Sequence, residues 1–134
     1  MVGTEFDWIG ADSSGILGIF STAGSGPVPP TALERCDDHS KIIQYIRETA
    51  GVPTWADLLT YVGEAPIYVY DWEPNLGPYL RTRVPQGAPA LTIDSLPVAF
   101  TEVVERLNLD FSSSEPVLAE SIIQYGEQDV TPNA

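Results

Sequence analysis

The octapeptide Ala23-Gly24-Ser25-Gly26-Pro27-Val28-Pro29-Pro30 cannot lie within a helix or a paired strand. Its three prolines lack backbone donors and fix φ, and its glycines open dihedrals closed to other residues. It therefore separates two stretches of chain whose hydrophobic periods differ. Before it, Phe6-Asp7-Trp8-Ile9-Gly10-Ala11 and Ile16-Leu17-Gly18-Ile19-Phe20-Ser21-Thr22 read as strands, joined by the turn residues Asp12-Ser13-Ser14-Gly15. After it, from Thr31 to about Ala50, the residues Ile42, Ile43, Ile46 and Ala50 recur at helical spacing. The segment reads as a rigid crossover from hairpin to helix, with Ser21 and Thr22 satisfying nearby backbone groups.

The rest of the chain alternates in the same way. Thr54 is placed to cap a second helix, in which Trp55, Leu58, Leu59 and Val62 form an inward stripe that Gly63 stops. Ile67 to Glu73 and Tyr79 to Val84 read as a β-hairpin around Pro74-Asn75-Leu76-Gly77-Pro78. A turn centred near Gly77 sets Glu73 against Arg81 and Asp71 against Arg83, two ion pairs on one face. Ala90 to Ile93 is a weaker strand, and Pro97 to Leu107 reads as a third helix with Phe100, Val103, Val104 and Leu107 inward. Val117 to Tyr125 reads as a last strand or a short helix, and 127–134 as a frayed tail. The expectation is one α+β domain over 1–134, with a mostly antiparallel sheet of five or six strands and about three helices.

Charge narrows the function. Nineteen acidic residues stand against six basic ones, spread from Glu5 to Asp129, for a net charge of −13. Such a skin repels phosphates and attracts basic partners. Nucleic-acid binding is disfavoured, because aromatics that stack bases come with a basic groove. The start of the chain has no basic-then-apolar signal, and no apolar run approaches the ~20 residues of a membrane span. One cysteine allows no internal disulfide, so a cytoplasmic protein is expected.

Catalytic patterns are sparse. Cys36 and His39, the only thiol and imidazole, lie three apart and would share a helix face. They could form a nucleophile and base, or half of a metal site, but no further ligands accompany them. A helix start with Asp37 and Asp38 in its first turn accounts for the same residues. The Gly24-to-Pro29 segment fails as a phosphate cradle, since Pro29 occupies the third glycine position and offers no N–H. Asp71 and Glu73 resemble an acid–base pair, yet Arg81 and Arg83 would hold both ionised. No cofactor or metal is expected.

The opening block Phe6-Asp7-Trp8-Ile9, Asp12, Gly15, Gly18-Ile19-Phe20-Ser21-Thr22-Ala23-Gly24 and Gly26-Pro27-Val28-Pro29 resembles the start of small acidic immunity proteins of bacterial polymorphic-toxin systems. The resemblance spans about the first 30 residues. It implies a non-enzymatic cytoplasmic inhibitor that binds a cognate toxin domain, with no catalytic residues to carry over. On that reading Asp37, Asp38, Asp71, Trp72 and Glu73 are the expected contacts with a basic toxin surface. The alternatives are a small enzyme using carboxylates or Cys36 and His39, and an acidic mimic of nucleic acid.

Overall fold

A computed structural model of the chain describes residues 6–24, 26–59, 64–113, 115–117 and 121–122. Its centre is a five-stranded sheet in the order β4-β3-β2-β1-β5. The strands are β1 (Asp7–Ala11), β2 (Leu17–Ser21), β3 (Tyr68–Trp72), β4 (Tyr79–Arg83) and β5 (Glu105–Arg106). β1–β2 and β3–β4 pair antiparallel, whereas β2–β3 and β1–β5 pair parallel. The sheet is thus mixed, with most of its ladder antiparallel, in an α+β fold. Parallel neighbours require a crossover, and between β2 and β3 the chain makes α1 (Pro30–Glu34), α2 (Cys36–Ala50) and α3 (Trp55–Leu59).

Alternation along the strands builds two different layers. Ile9, Ala11, Leu17, Ile19 and Val69 face Ile42, Ile43 and Ile46 of α2 and Leu58 of α3. Trp8, Phe20, Tyr70 and Trp72 face the other way, with Tyr79, Leu107 and Phe111. On that face Trp8 stacks on Phe20 at 4.3 Å and Phe20 on Tyr70 at 5.0 Å, one ring from each of three adjacent strands. Tyr79 meets Phe20 edge-on at 5.1 Å and donates its hydroxyl to Pro27 O at 2.8 Å. The proline crossover is thereby tied to the aromatic layer. Its other anchor is the one expected: Thr22 Oγ1 accepts from Phe6 N–H and Gly24 N–H.

Two glycines make room for this layer. Gly10 and Gly18 are cross-strand partners on the aromatic face. A Cβ on Gly18 would lie 2.8 Å from the Phe111 ring, and one on Gly10 would lie 2.8 Å from Leu107. Asp12 fixes the ring in that trough. Its Oδ1 closes the hairpin turn by accepting from Ser14 and Ile16 N–H, and its Oδ2 accepts from Phe111 N–H at 3.0 Å.

Several elements differ from their sequence patterns. The helix expected from Thr31 breaks at Arg35, where φ is −120°, giving α1 and α2. The helix expected over Pro97–Leu107 is only α4 (Val98–Thr101), after which the chain extends into β5. The spacing of Phe100, Val103, Val104 and Leu107 suits either form, but β1 has an open edge whose backbone groups need partners. Leu107 N–H donates to Ala11 O there. The segment at Ala90–Ile93 is no regular strand: Thr92 bridges to Ile16 and caps a 3₁₀ turn, Ile93–Ser95. Val117 bridges to Tyr79, and Ile122 is buried against the aromatic layer. The remainder of the expected last strand, the 127–134 tail, Val62 and Gly63 fall outside the described residues.

Substituting Gly18→Ala should cost about 1–3 kcal/mol of stability, because the added methyl meets a ring that Asp12 holds in place. Urea unfolding measures this. Pairing the change with Phe111→Leu should recover part of the loss.

Candidate functional site

The five expected contact residues occupy four separate places. Asp37 and Asp38 lie in the first turn of α2, where the helix dipole favours carboxylates. Asp38 accepts from Arg35 Nε at 3.2 Å in an exposed pair, while Asp37 is open to solvent. Such pairs contribute at most about 1 kcal/mol. Glu73 lies in the β3–β4 turn, where its Oε1 accepts from both nitrogens of Asn75.

Trp72 requires a correction. It is 7% exposed and packs edge-on against Tyr79 at 5.0 Å. Gly77, at φ +76°, lies so close to the indole that a Cβ there would overlap it. The alternation that brings Asp71 to the surface sends Trp72 into the aromatic layer, so Trp72 is an internal anchor and not an exposed one.

Asp71 has a neighbour that sequence reading missed. Strand register aligns Asp7 of β1 with Ser21 of β2, and Ser21 with Asp71 of β3. These three, with Trp55, Ala56, Leu59 and Val69, line an open groove of about 510 Å³ between the sheet and α3. Trp55 Nε1–H donates to Asp7 Oδ2 at 2.7 Å and so docks α3 on the strand end. The groove has an apolar floor and an acidic rim. Asp7, Ser21 and Asp71 lie at or next to strand ends on one end of the sheet, a fact legible only once the strand order is known.

The arginines also depart from expectation. In the β3–β4 ladder Tyr70 faces Arg81, Val69 faces Arg83, Asp71 faces Leu80 and Trp72 faces Tyr79. Arg81 therefore does not oppose Glu73, nor Arg83 Asp71. The turn is centred between Asn75 and Leu76, and an irregularity between Val69 and Tyr70 adds a residue on the β4 side. A bulge of that kind reverses which face the following side chain takes. Arg81 thus stays on the aromatic face, 5.7 Å over the Tyr68 ring, and donates Nη1 to Phe111 O, Ser112 O and Ser113 O. Arg83 turns to the helix face. It is fully buried and donates Nε to Leu58 O and Nη2 to Asp57 O of α3. Arg47 behaves similarly at the end of α2, reaching Val52 O and Pro53 O.

Cys36 and His39 share α2 as expected, but their chemistry differs. His39 is fully buried, and its Nδ1 accepts from Ile9 N–H at 3.0 Å. Burial lowers its pKa to about 4, against the pull of Asp38 and with the push of Arg35. The neutral ring thus carries its proton on Nε2 and has its lone pair engaged. So arranged, it offers the half-buried Cys36 no base. Among the described residues no three His, Cys, Asp or Glu side chains are grouped to hold a metal ion. No helix among them is long and apolar enough to cross a membrane. On the aromatic face, burial pushes the Tyr70 hydroxyl up to about 12 against Arg81, and Tyr79 higher still, so both stay neutral.

Comparison with family models, curated proteins and solved structures finds no match in any of the three.

Replacing Arg83 by Met keeps the apolar stem and strands two α3 carbonyls, which should cost about 2–3 kcal/mol in chemical unfolding. Arg83→Lys should restore less than half of it, since an ammonium cannot reproduce the guanidinium fork.

Proposed function

We propose that this protein is a non-enzymatic, immunity-like inhibitor. It binds and neutralises a basic toxin domain in the cytoplasm through its acidic surface. The observation that carries this reading is the direction of the arginines. Three of the six basic side chains, Arg47, Arg81 and Arg83, donate to the protein's own main-chain carbonyls. These three cations serve as internal ties, while the acids Asp37, Asp71, Glu102, Asp110 and Glu115 are exposed. A surface with that imbalance steers a basic partner and speeds association, and water-excluding contacts then set the dissociation rate. The N-terminal likeness to immunity proteins supports the same reading.

The face best suited to the encounter is the end of the sheet where Asp7 and Asp71 rim the groove and Glu73 supports the hairpin tip. At that tip Leu76 is 90% exposed, an apolar residue beside carboxylates. Asp37 and Asp38 add charge from α2.

Co-expression with a candidate toxin domain, taken from the gene immediately upstream, tests the proposal. Growth rescue and a co-purifying complex are expected, with association slowing at least about tenfold from about 50 to about 500 mM NaCl. Absence of both rescue and complex overturns the inhibitor reading. Charge reversal at Asp37, Asp38 and Asp71 together should slow association by about tenfold at low salt with little change in dissociation. An unaltered association rate would remove these acids from the steering surface.

A further inference from the structure

We propose that His39 is an acid-sensitive latch between α2 and the edge of β1, opened when its imidazole takes up a second proton. The edge of β1 that faces β5 carries the backbone groups of alternate residues, among them Ala11 and Ile9. Leu107 N–H serves Ala11 O, and β5 pairs with Gly10 and Ala11. β5 begins at Glu105, so the next amide along that edge, Ile9 N–H, has no strand opposite it. A side chain fills the position: His39 Nδ1 accepts that proton at 3.0 Å. A main-chain amide can only donate, so this bond exists only while Nδ1 is unprotonated.

The other ring nitrogen makes the latch one-way. Nε2 is buried and has no hydrogen-bond partner. A second proton would therefore set two donors face to face at Nδ1 and leave a buried cation with no acceptor at Nε2. The neighbouring groups do not rescue it. β1 offers the Ile9 amide, and Phe6, just before the strand, sets its ring 6.3 Å away in a T-shaped contact. On α2, the Asp38 carboxylate favours the cation but also binds Arg35 at the α1–α2 joint, whose charge opposes it. The Cys36 thiol adds no charge relief and lies beside Asp37. The Glu105 carboxylate of β5 is engaged by the Thr31 hydroxyl. Burial keeps the folded pKa near 4, below the ordinary 6.5 of the unfolded chain. The unfolded state thus binds the proton first as pH falls, so the stabilisation is complete above 6.5 and is lost toward 4. Opening would free the first turn of α2, with Asp37 and Asp38, from the sheet.

The latch is read out in the whole chain by nitrogen NMR of the imidazole and by hydrogen exchange at Ile9. The Nε2–H tautomer should persist to about pH 5, and the protection of the Ile9 amide should fall as the ring titrates near 4. In His39→Asn, an amide oxygen can take the place of Nδ1 without titrating. Between about pH 7.5 and 4.5 the wild-type unfolding constant should rise ~50-fold more than that of H39N. A ring that titrates near 6.5, Ile9 protection that ignores its titration, or equal pH slopes for the two proteins would overturn the proposal. The ring and amide measurements need only the wild type, so they decide the matter if H39N does not fold.

Discussion

The bulge between Val69 and Tyr70 is the constraint on which the rest of the molecule depends. A regular ladder would put Arg81 and Arg83 on one face of β4; the bulge divides them. Arg81 then holds the 111–113 segment over the aromatic face, and Arg83 holds α3 against the opposite face. One irregularity thereby fastens both coverings of the sheet.

The two faces solve the burial problem differently. The helix face is aliphatic, with β-branched side chains of α2 meeting those of β1 and β2. The other face is aromatic and depends on vacancies: Gly10 and Gly18 create the trough, and Leu107 and Phe111 occupy it. Asp12 unites turn and trough through one carboxylate that receives three amides. Aromatic stacks of this kind add stabilisation beyond burial area only when ring geometry is held, which explains why small residues and a buried acid accompany them.

What the sequence disclosed follows from the range of each signal. The opening hairpin, the Thr22 anchor of the proline crossover and the α2 stripe rest on local chemistry and stand as read, although Pro30, read as part of the irregular crossover, is the first residue of α1. The β3–β4 register centred near Gly77 does not stand, because opposite charges two residues apart fit several registers and a bulge leaves no mark in composition. The Phe100–Leu107 stripe misled for a related reason. Apolar spacing says which residues are buried, not whether a helix or a turn and strand buries them. The candidate surface was legible only in part. Asp71 and the first-turn acids of α2 were visible as exposed charge, Trp72 was assigned to the wrong side, and the Asp7–Ser21–Asp71 row needs a strand order that spacing alone cannot supply.

The central claim is that three of the six cations tie the protein's own carbonyls and that carboxylates far outnumber cations, at a net charge of −13. Such a surface repels itself, and salt relieves the repulsion. The most direct measurement is the unfolding free energy at neutral pH as NaCl rises from about 10 to about 300 mM. The account predicts that stability increases with salt, by about 1–2 kcal/mol. A decrease, as surface ion pairs would give on screening, or no change at all, would contradict it.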